Sequence, residues 1–466
     1  MSIFLNMPSD ILLLIISTYL DIPDVYAFRR VCRELAQLTR DKFVWLTRLE
    51  RLRARGDIPL PTVDTAVDPS STLESIVVSA SRACESWRLP RQINPILRSP
   101  GGKIKGLKMF LDTWLLIVYQ DGGIYLWDIR ENMPQRGHCA ILRMVGARWQ
   151  SYDAALGPGE DHIIVALSSA LEPGVTECET RLYCINVGGD TFELFRSFKH
   201  SLQRKILAID TVRRLLVFSS STRALGIIDW DNEEAEDENA IVLDDADTEE
   251  IVNDVIALRR IDVHLLLIRT RTIEFYLCSD AYRRQPTIPP LRHRLPWPLR
   301  DGAVSVSDVV PASSDDRTRV TFLAYTGQSL TCYTIAIELP EADNAIATPA
   351  LMDVTLVGEA HPPPGTLPPW FVSAHALGPQ GIRAMWIDRD QTMTRHVRLC
   401  TFNSLHARHD MGSEAFSSTV FSLSSYDLRE DLTHCALAES SGRIALGNRV
   451  GDVFLLPVNR TEQQAN

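Results

Sequence analysis

Lysine is scarce in this chain: Lys42, Lys103, Lys105, Lys108, Lys199 and Lys205 are the only six, against 42 arginines. A basic surplus is missing as well. The net charge is −11, twelve acids and no base fall within residues 229–250, and the remainder balances at 48 bases to 47 acids. Such a balance lacks the electrostatic footprint of a nucleic-acid binder. The acidic stretch reads as a solvated loop or as a contact for a basic partner. Long hydrophobic runs are absent too, none approaching the roughly 18 residues that span a bilayer. Residues 11–20 are apolar, but Asp10 abuts them and no Lys or Arg precedes them, unlike a secretory leader. The nine cysteines, at 32, 84, 139, 178, 184, 278, 332, 400 and 435, are scattered, odd in number and without a CxxC pair. They suit a reducing compartment better than a disulfide framework or zinc site. A soluble cytoplasmic or nuclear protein is expected, with no membrane and no nucleic acid as partner.

Signatures of catalysis are missing in turn. There is no GxSxG, no HExxH, and no Walker or Rossmann glycine pattern between strand and helix. Gly101-Gly102-Lys103 lacks the rest of a phosphate loop and reads as a turn. His406 and His409 stand near Asp410, a spacing more common on polar surface than in a metal site. The acids of residues 229–250 have no apolar pocket to split their pKa values. No catalytic residue, metal or cofactor is therefore assigned, and an enzyme is not expected.

What is present falls into three parts. Residues 3–55 carry three helical stripes. Pro8 suits a first turn, Ser9 an N-cap, and Asp10 a helix N-terminus. Ile11, Leu12, Ile15, Ile16, Tyr19 and Leu20 then recur at helical spacing. Pro23 and Asp24 restart the chain for Phe28, Val31, Cys32, Leu35 and Leu38, and Asp41 opens a third stripe with Phe43, Leu46, Leu49 and Leu52. Three such helices bury little by themselves. Residues 56–95 form a linker. Its Ser71-Thr72-Leu73-Glu74 fits a capping box ahead of Ile76, Val77, Ala80, Ala83, Cys84 and Trp87, a helix that docks on one of the two flanking domains.

From residue 96 to 459 the period becomes strand-like, ahead of a flexible tail at 460–466. In residues 115–129, Asp121-Gly122-Gly123 turns a hairpin that ends in Trp127-Asp128. Similar units begin near 162, 206, 255, 319, 382 and 433. A repeat of about fifty residues predicts blades of a β-propeller, about seven in number, with a pair of β-sandwiches as the other architecture. Closure is expected between residues 453–458 and a strand near 104–111.

The ordered set Met7-Pro8, Asp10, Ile11-Leu12, Ile15-Ile16, Tyr19-Leu20, Asp24, Val31-Cys32, Leu35 and Trp45 resembles the F-box. Met7 stands where that family usually has Leu, and Leu13 and Leu14 occupy positions that are often polar, so they are expected to face the linker. The resemblance implies a three-helix module in which Met7, Pro8, Ile11, Leu12, Ile15, Ile16, Leu20, Val31, Cys32, Leu35 and Trp45 bind a Skp-family adaptor, or support its interface. Through that adaptor a cullin scaffold is implied. The strand region, by Trp127-Asp128, looks like a divergent WD-repeat propeller that lacks the usual Gly-His partners. Together these imply a non-catalytic substrate receptor of an SCF-type ubiquitin ligase, holding an unknown target protein on the propeller for ubiquitin-dependent degradation. Few lysines would slow modification of such a receptor itself, although codon usage favouring arginine is the simpler account of the bias. A non-degradative F-box scaffold and a ligand-binding propeller remain as alternatives.

Overall fold

The computed structural model describes residues 7–55, 68–86, 94–97, 102–129, 140–144, 146–169, 178–200, 204–221, 224–231, 239–243, 253–277, 290–300, 302, 304–311, 317–339, 350–362, 370–402 and 417–456. His406, His409, Asp410, the tail and most of the acidic stretch lie outside them.

Four helices, not three, precede the linker: α1 (Ser9–Thr18), α2 (Ile22–Arg29), α3 (Arg33–Leu38) and α4 (Lys42–Arg55). The second stripe breaks because Cys32 takes extended backbone, φ −157° and ψ 168°, at the start of α3. The break turns Leu35 inward and leaves Val31 outside. Helix starts also move by a residue or more. Pro8 holds the N-cap expected of Ser9, and Asp21 the one expected of Asp24, with Pro23 in the first turn where its missing N–H costs nothing. The C-terminal carbonyls of α1 are satisfied from α4. Arg48 donates to Ile16 O at 2.7 Å and to Leu20 O, and Arg51 to Ser17 O at 3.1 Å and Thr18 O at 2.7 Å. Cations there also complement the helix dipole.

The linker helix α5 (Ser70–Ser86) completes the helical core. Its Leu73, Val77 and Val78 share one apolar cluster with Ile16, Val25, Val44, Trp45 and Leu49. Of the two docking partners open to it, the helical module takes this face.

Seven antiparallel sheets follow. The first contains Ile104–Phe110, Trp114–Tyr119, Gly123–Asp128 and Ala140–Arg143, in that order from the axis outward. Gly122, at φ +96°, makes its hairpin turn possible, since a Cβ there would also meet the Met144 carbonyl oxygen at 2.3 Å. The later sheets start with Trp149–Leu156, Lys205–Asp210, Val255–Ile261, Val304–Val306, Phe371–Leu377 and Leu432–Leu437. Each of these first strands packs beside the next, and the seventh returns to the first. Every junction between neighbouring sheets has its own apolar cluster, including the one between the seventh and first that holds Ala436, Ala445 and Val453 with Leu107, Ile117 and Trp127. This is a seven-bladed propeller, not a pair of sandwiches.

Closure differs from expectation. Val453–Leu456 pairs with Asn94–Leu97, matching Asn94 to Leu455 and Leu97 to Val453. The expected partner, Ile104–Phe110, is the innermost strand of the first blade, and its ladder is made with Trp114–Tyr119. The propeller therefore begins at Asn94, two residues ahead of the expected boundary at 96. The chain leaving the helical module supplies the outer strand of the last blade.

Two histidines give the ring a pH dependence. Loss of solvent pulls both His375, on the inner strand of the sixth blade, and His434, on that of the seventh, down to about 4. Their unfolded values lie near 6.5, so the unfolded chain binds more protons between about pH 6.5 and 4. Stability is full above that window and falls as pH drops through it, by about 3 kcal/mol per histidine. Urea midpoints of wild type and the His375→Gln, His434→Gln double variant should diverge in slope across pH 7 to 4. Parallel curves would exclude these groups.

Candidate functional site

The helical module divides its eleven candidate residues by exposure. Pro8, Ile11 and Val31 are exposed, Met7, Ile15, Leu20 and Cys32 are partly covered, and Leu12, Ile16, Leu35 and Trp45 are buried. Ile11 and Val31 are 46% and 68% exposed, costly for side chains of that size in water. Leu14, Tyr19 and Phe43 are exposed beside them, so the module presents more apolar surface than the motif positions alone. Phe43, which opens the third apolar stripe, is turned outside by α4. Leu14 does not face the linker either, whereas Leu13 joins the core.

Beneath that surface lies a polar frame centred on Thr39. Its carbonyl accepts the indole N–H of Trp45 at 3.1 Å and an Arg29 N–H at 3.3 Å, while its hydroxyl accepts Arg29 Nε at 3.1 Å. Arg29 in turn grips Glu74 of α5 at 2.9 and 3.0 Å, and the Tyr26 hydroxyl donates to the same carboxylate at 2.8 Å. Burial, and then the hydrogen bond to Glu74, raise the Tyr26 pKa. The expected capping box is thus replaced. Glu74 clamps α5 to α2, and Ser70 opens the helix with its hydroxyl on the Arg40 carbonyl. With both members of the pair 18% exposed, Glu74→Ala strands a largely covered guanidinium and should cost about 2 kcal/mol. Faster proteolysis within residues 7–55, with an unchanged propeller melt, is the expected result; an unchanged cleavage rate would refute the clamp.

The far end of α5 meets the propeller. Arg383 donates to Cys84 Sγ at 3.8 Å and to Glu439 O at 2.9 Å. The Glu439 carboxylate collects backbone N–H groups of Gln380, Ile382 and Arg383 at 2.6 to 2.8 Å, although burial pushes its pKa up. These groups belong to hairpins 378–382 and 438–443, which define a linker face. The opposite face carries the turns before the inner strands, including residues 425–431 and 449–452.

On the linker side the channel mouth holds a cavity of about 440 Å³. Charges line it in pairs: Lys108 with Asp153 at 2.9 Å, Arg213 with Asp262 at 2.9 Å and Arg260 with Asp210 at 3.4 Å. Arg259 is held by the Ser307 and Val306 carbonyls at 2.7 and 2.8 Å. The arginine-rich stretch 259–271 does not share a rim, since Arg269 is buried against Glu274 at 3.2 Å and Arg271 sits at the other face. Among the described residues no group of three or more His, Cys, Asp or Glu side chains is arranged to hold a metal. No described helix is long and apolar enough to cross a membrane.

Residues 4–51 match the F-box-like family. No curated protein sequence matches the chain. Among solved structures, the C-terminal WD40 domain of Sif2 is similar, with 11% identity and a TM-score of 0.47 over 80% of this chain and 99% of that one. U3-55K is similar at 11% identity and 0.45 over 78% and 98%. The WD40 domain of SCAP from fission yeast follows at 12% identity and 0.42 over 78% and 97%.

Proposed function

We propose that this chain, an F-box-like domain joined to a WD-like seven-bladed propeller, is the substrate-recognition subunit of an SCF-type ubiquitin ligase in the cytoplasm or nucleus. The observation that carries the reading is the exposed apolar set Pro8, Ile11 and Val31, raised on a rigid core of Trp45, Leu49 and Leu73. A Skp-family adaptor covers that set and joins the chain to a cullin scaffold. The propeller holds a target protein. Chemistry then belongs to other subunits, and this chain contributes effective concentration, keeping a target lysine near activated ubiquitin. The clamp of α5 on the helical module and its contact at Arg383 support the role, because a held arm narrows the volume the target explores.

The test is co-purification of full-length protein from cells, followed by cullin inhibition. Adaptor and cullin should copurify, and bound proteins should accumulate when the cullin is blocked. Adaptor binding without cullin-dependent turnover would favour a non-degradative scaffold. No adaptor on folded protein would end the receptor reading.

A further inference from the structure

Charged side chains of both signs line the cavity at the linker-side mouth of the channel. Lys108, Arg213, Arg259 and Arg260 stand against Asp153, Asp210, Asp262 and Asp308, so the wall as a whole is neutral. Most of these charges are spent on one another. Lys108 holds Asp153 at 2.9 Å, Arg213 holds Asp262 at 2.9 Å, and Arg260 holds Asp210 at 3.4 Å. Such pairs attract a ligand of either sign only weakly, because each charge already faces its opposite.

Arg259 and Asp308 are the exceptions. The acceptors of Arg259 are all carbonyl oxygens: Nε donates to Ser307 at 2.7 Å, Nη1 to Leu258 at 2.9 Å and Nη2 to Val306 at 2.8 Å. Three of its five donors are used, which fixes the guanidinium plane and leaves one N–H on each terminal nitrogen. Asp308 follows the serine that accepts Arg259 Nε. Its backbone is pinned on both sides, the N–H on Pro379 O at 2.8 Å and the carbonyl under the Ser307 hydroxyl at 2.8 Å. Asp308 is exposed, and its carboxylate makes no hydrogen bond or ion pair with any described residue. One uncommitted charge of each sign therefore stands where the fourth and fifth blades meet. Apolar wall completes the cavity: Leu258 and Val309, the chain neighbours of the two charges, with Ile209 and Val217. Its volume of about 440 Å³ is in the range of small-molecule sites.

We propose that this cavity binds a small zwitterion with an apolar side chain, a free α-amino acid, its carboxylate on Arg259 and its ammonium on Asp308. A lone anion is repelled by Asp308 and a lone cation by Arg259, whereas a ligand carrying both signs satisfies both and keeps the wall neutral. Both contacts are charge-assisted hydrogen bonds, and the pinned backbone holds the two groups ready before the ligand arrives. The apolar wall takes the side chain. This site goes beyond the receptor reading and does not rest on it, since the adaptor-facing residues lie in the helical module and these lie in the propeller.

Isothermal titration calorimetry with the full-length chain tests it, using L-leucine, isoamylamine, which lacks the carboxylate, and isocaproate, which lacks the ammonium. Leucine should bind at least about tenfold more tightly than either analogue. Free glycine, the same zwitterion without the side chain, should bind at least about fivefold more weakly than leucine. Asp308→Asn, at an exposed position, should weaken leucine about tenfold without weakening isocaproate, and should leave the melting temperature unchanged. Arg259→Gln should weaken both leucine and isocaproate. Because Arg259 also ties the fourth blade to the fifth, its melt is read alongside, and Asp308→Asn decides the matter if that variant unfolds. Tyr426→Ala, at an 84% exposed position on the opposite face, should change nothing. No binding of leucine, equal binding of either analogue, or a leucine affinity indifferent to Asp308→Asn overturns the proposal.

Discussion

Ile11→Asp combined with Val31→Asp should abolish binding of the proposed adaptor to the purified protein and leave the chain folded. Both side chains are exposed, so the core of Ile16, Val25 and Trp45 does not sense the change. In the complex each would be covered. A buried aliphatic contributes roughly 1.5–3 kcal/mol, and an unpaired carboxylate adds a desolvation cost, so the pair should weaken binding by about a thousandfold or more. Trp45→Ala makes the contrast. That indole is fully buried and donates to Thr39 O, so its loss leaves a cavity and removes one of the two donors on that carbonyl, costing about 3–5 kcal/mol. Adaptor binding is lost there as well, but through unfolding. Titration calorimetry together with limited proteolysis separates the cases: the Asp pair should resist protease like wild type, and Trp45→Ala should not. An Asp pair that still binds with wild-type affinity removes this surface from the interface.

Starting the chain at residue 102 instead of 91 should destabilise the closed propeller. The shorter chain lacks Asn94–Leu97, the outer strand of the seventh blade, and Val453–Leu456 becomes an open edge. Unpaired edges invite association with other chains. Losing that ladder costs on the order of 3 kcal/mol, a large part of an ordinary stability margin. The 91–466 chain should be soluble with one cooperative melt, the 102–466 chain aggregated or melting at least about 5 °C lower. Matching melts would show that the strand is dispensable. The same pairing ties function to fold, since the segment that carries the helical module also closes the ring.

The arginine frame explains why the lysine-poor composition is compatible with this architecture. Arg29, Arg48, Arg51, Arg383 and Arg395 each hold two or more acceptors in fixed planes. A lysine ammonium, with one centre on a flexible stem, would not bridge carbonyls of separate elements in the same way.

By itself the sequence determined the helical module, the change to strand period after the linker and the repeat of small sheets. Those signals are local: apolar spacing of three and four, alternation of two, and turn residues such as Asp121-Gly122-Gly123. It placed an F-box-like match in the module, within residues 4–51, but did not decide which of its residues face outward. Trp45 and Ile11 are equally apolar in a row of letters, and only packing buries one and exposes the other. The starts read near 162, 319 and 382 fell on second strands, because Ile163–Leu167, Val320–Ala324 and Ala384–Ile387 are continuously buried and strongly apolar, while the inner strands ahead of them are mixed. Tertiary structure alone decided the long-range pairings: Asn94–Leu97 on Val453–Leu456, Glu74 on Arg29, and Arg389 with Arg449 on Asp431. Each joins residues separated by 18 or more positions. Their partners are chosen by ring closure and by the need to pair covered charge, and no local pattern encodes either.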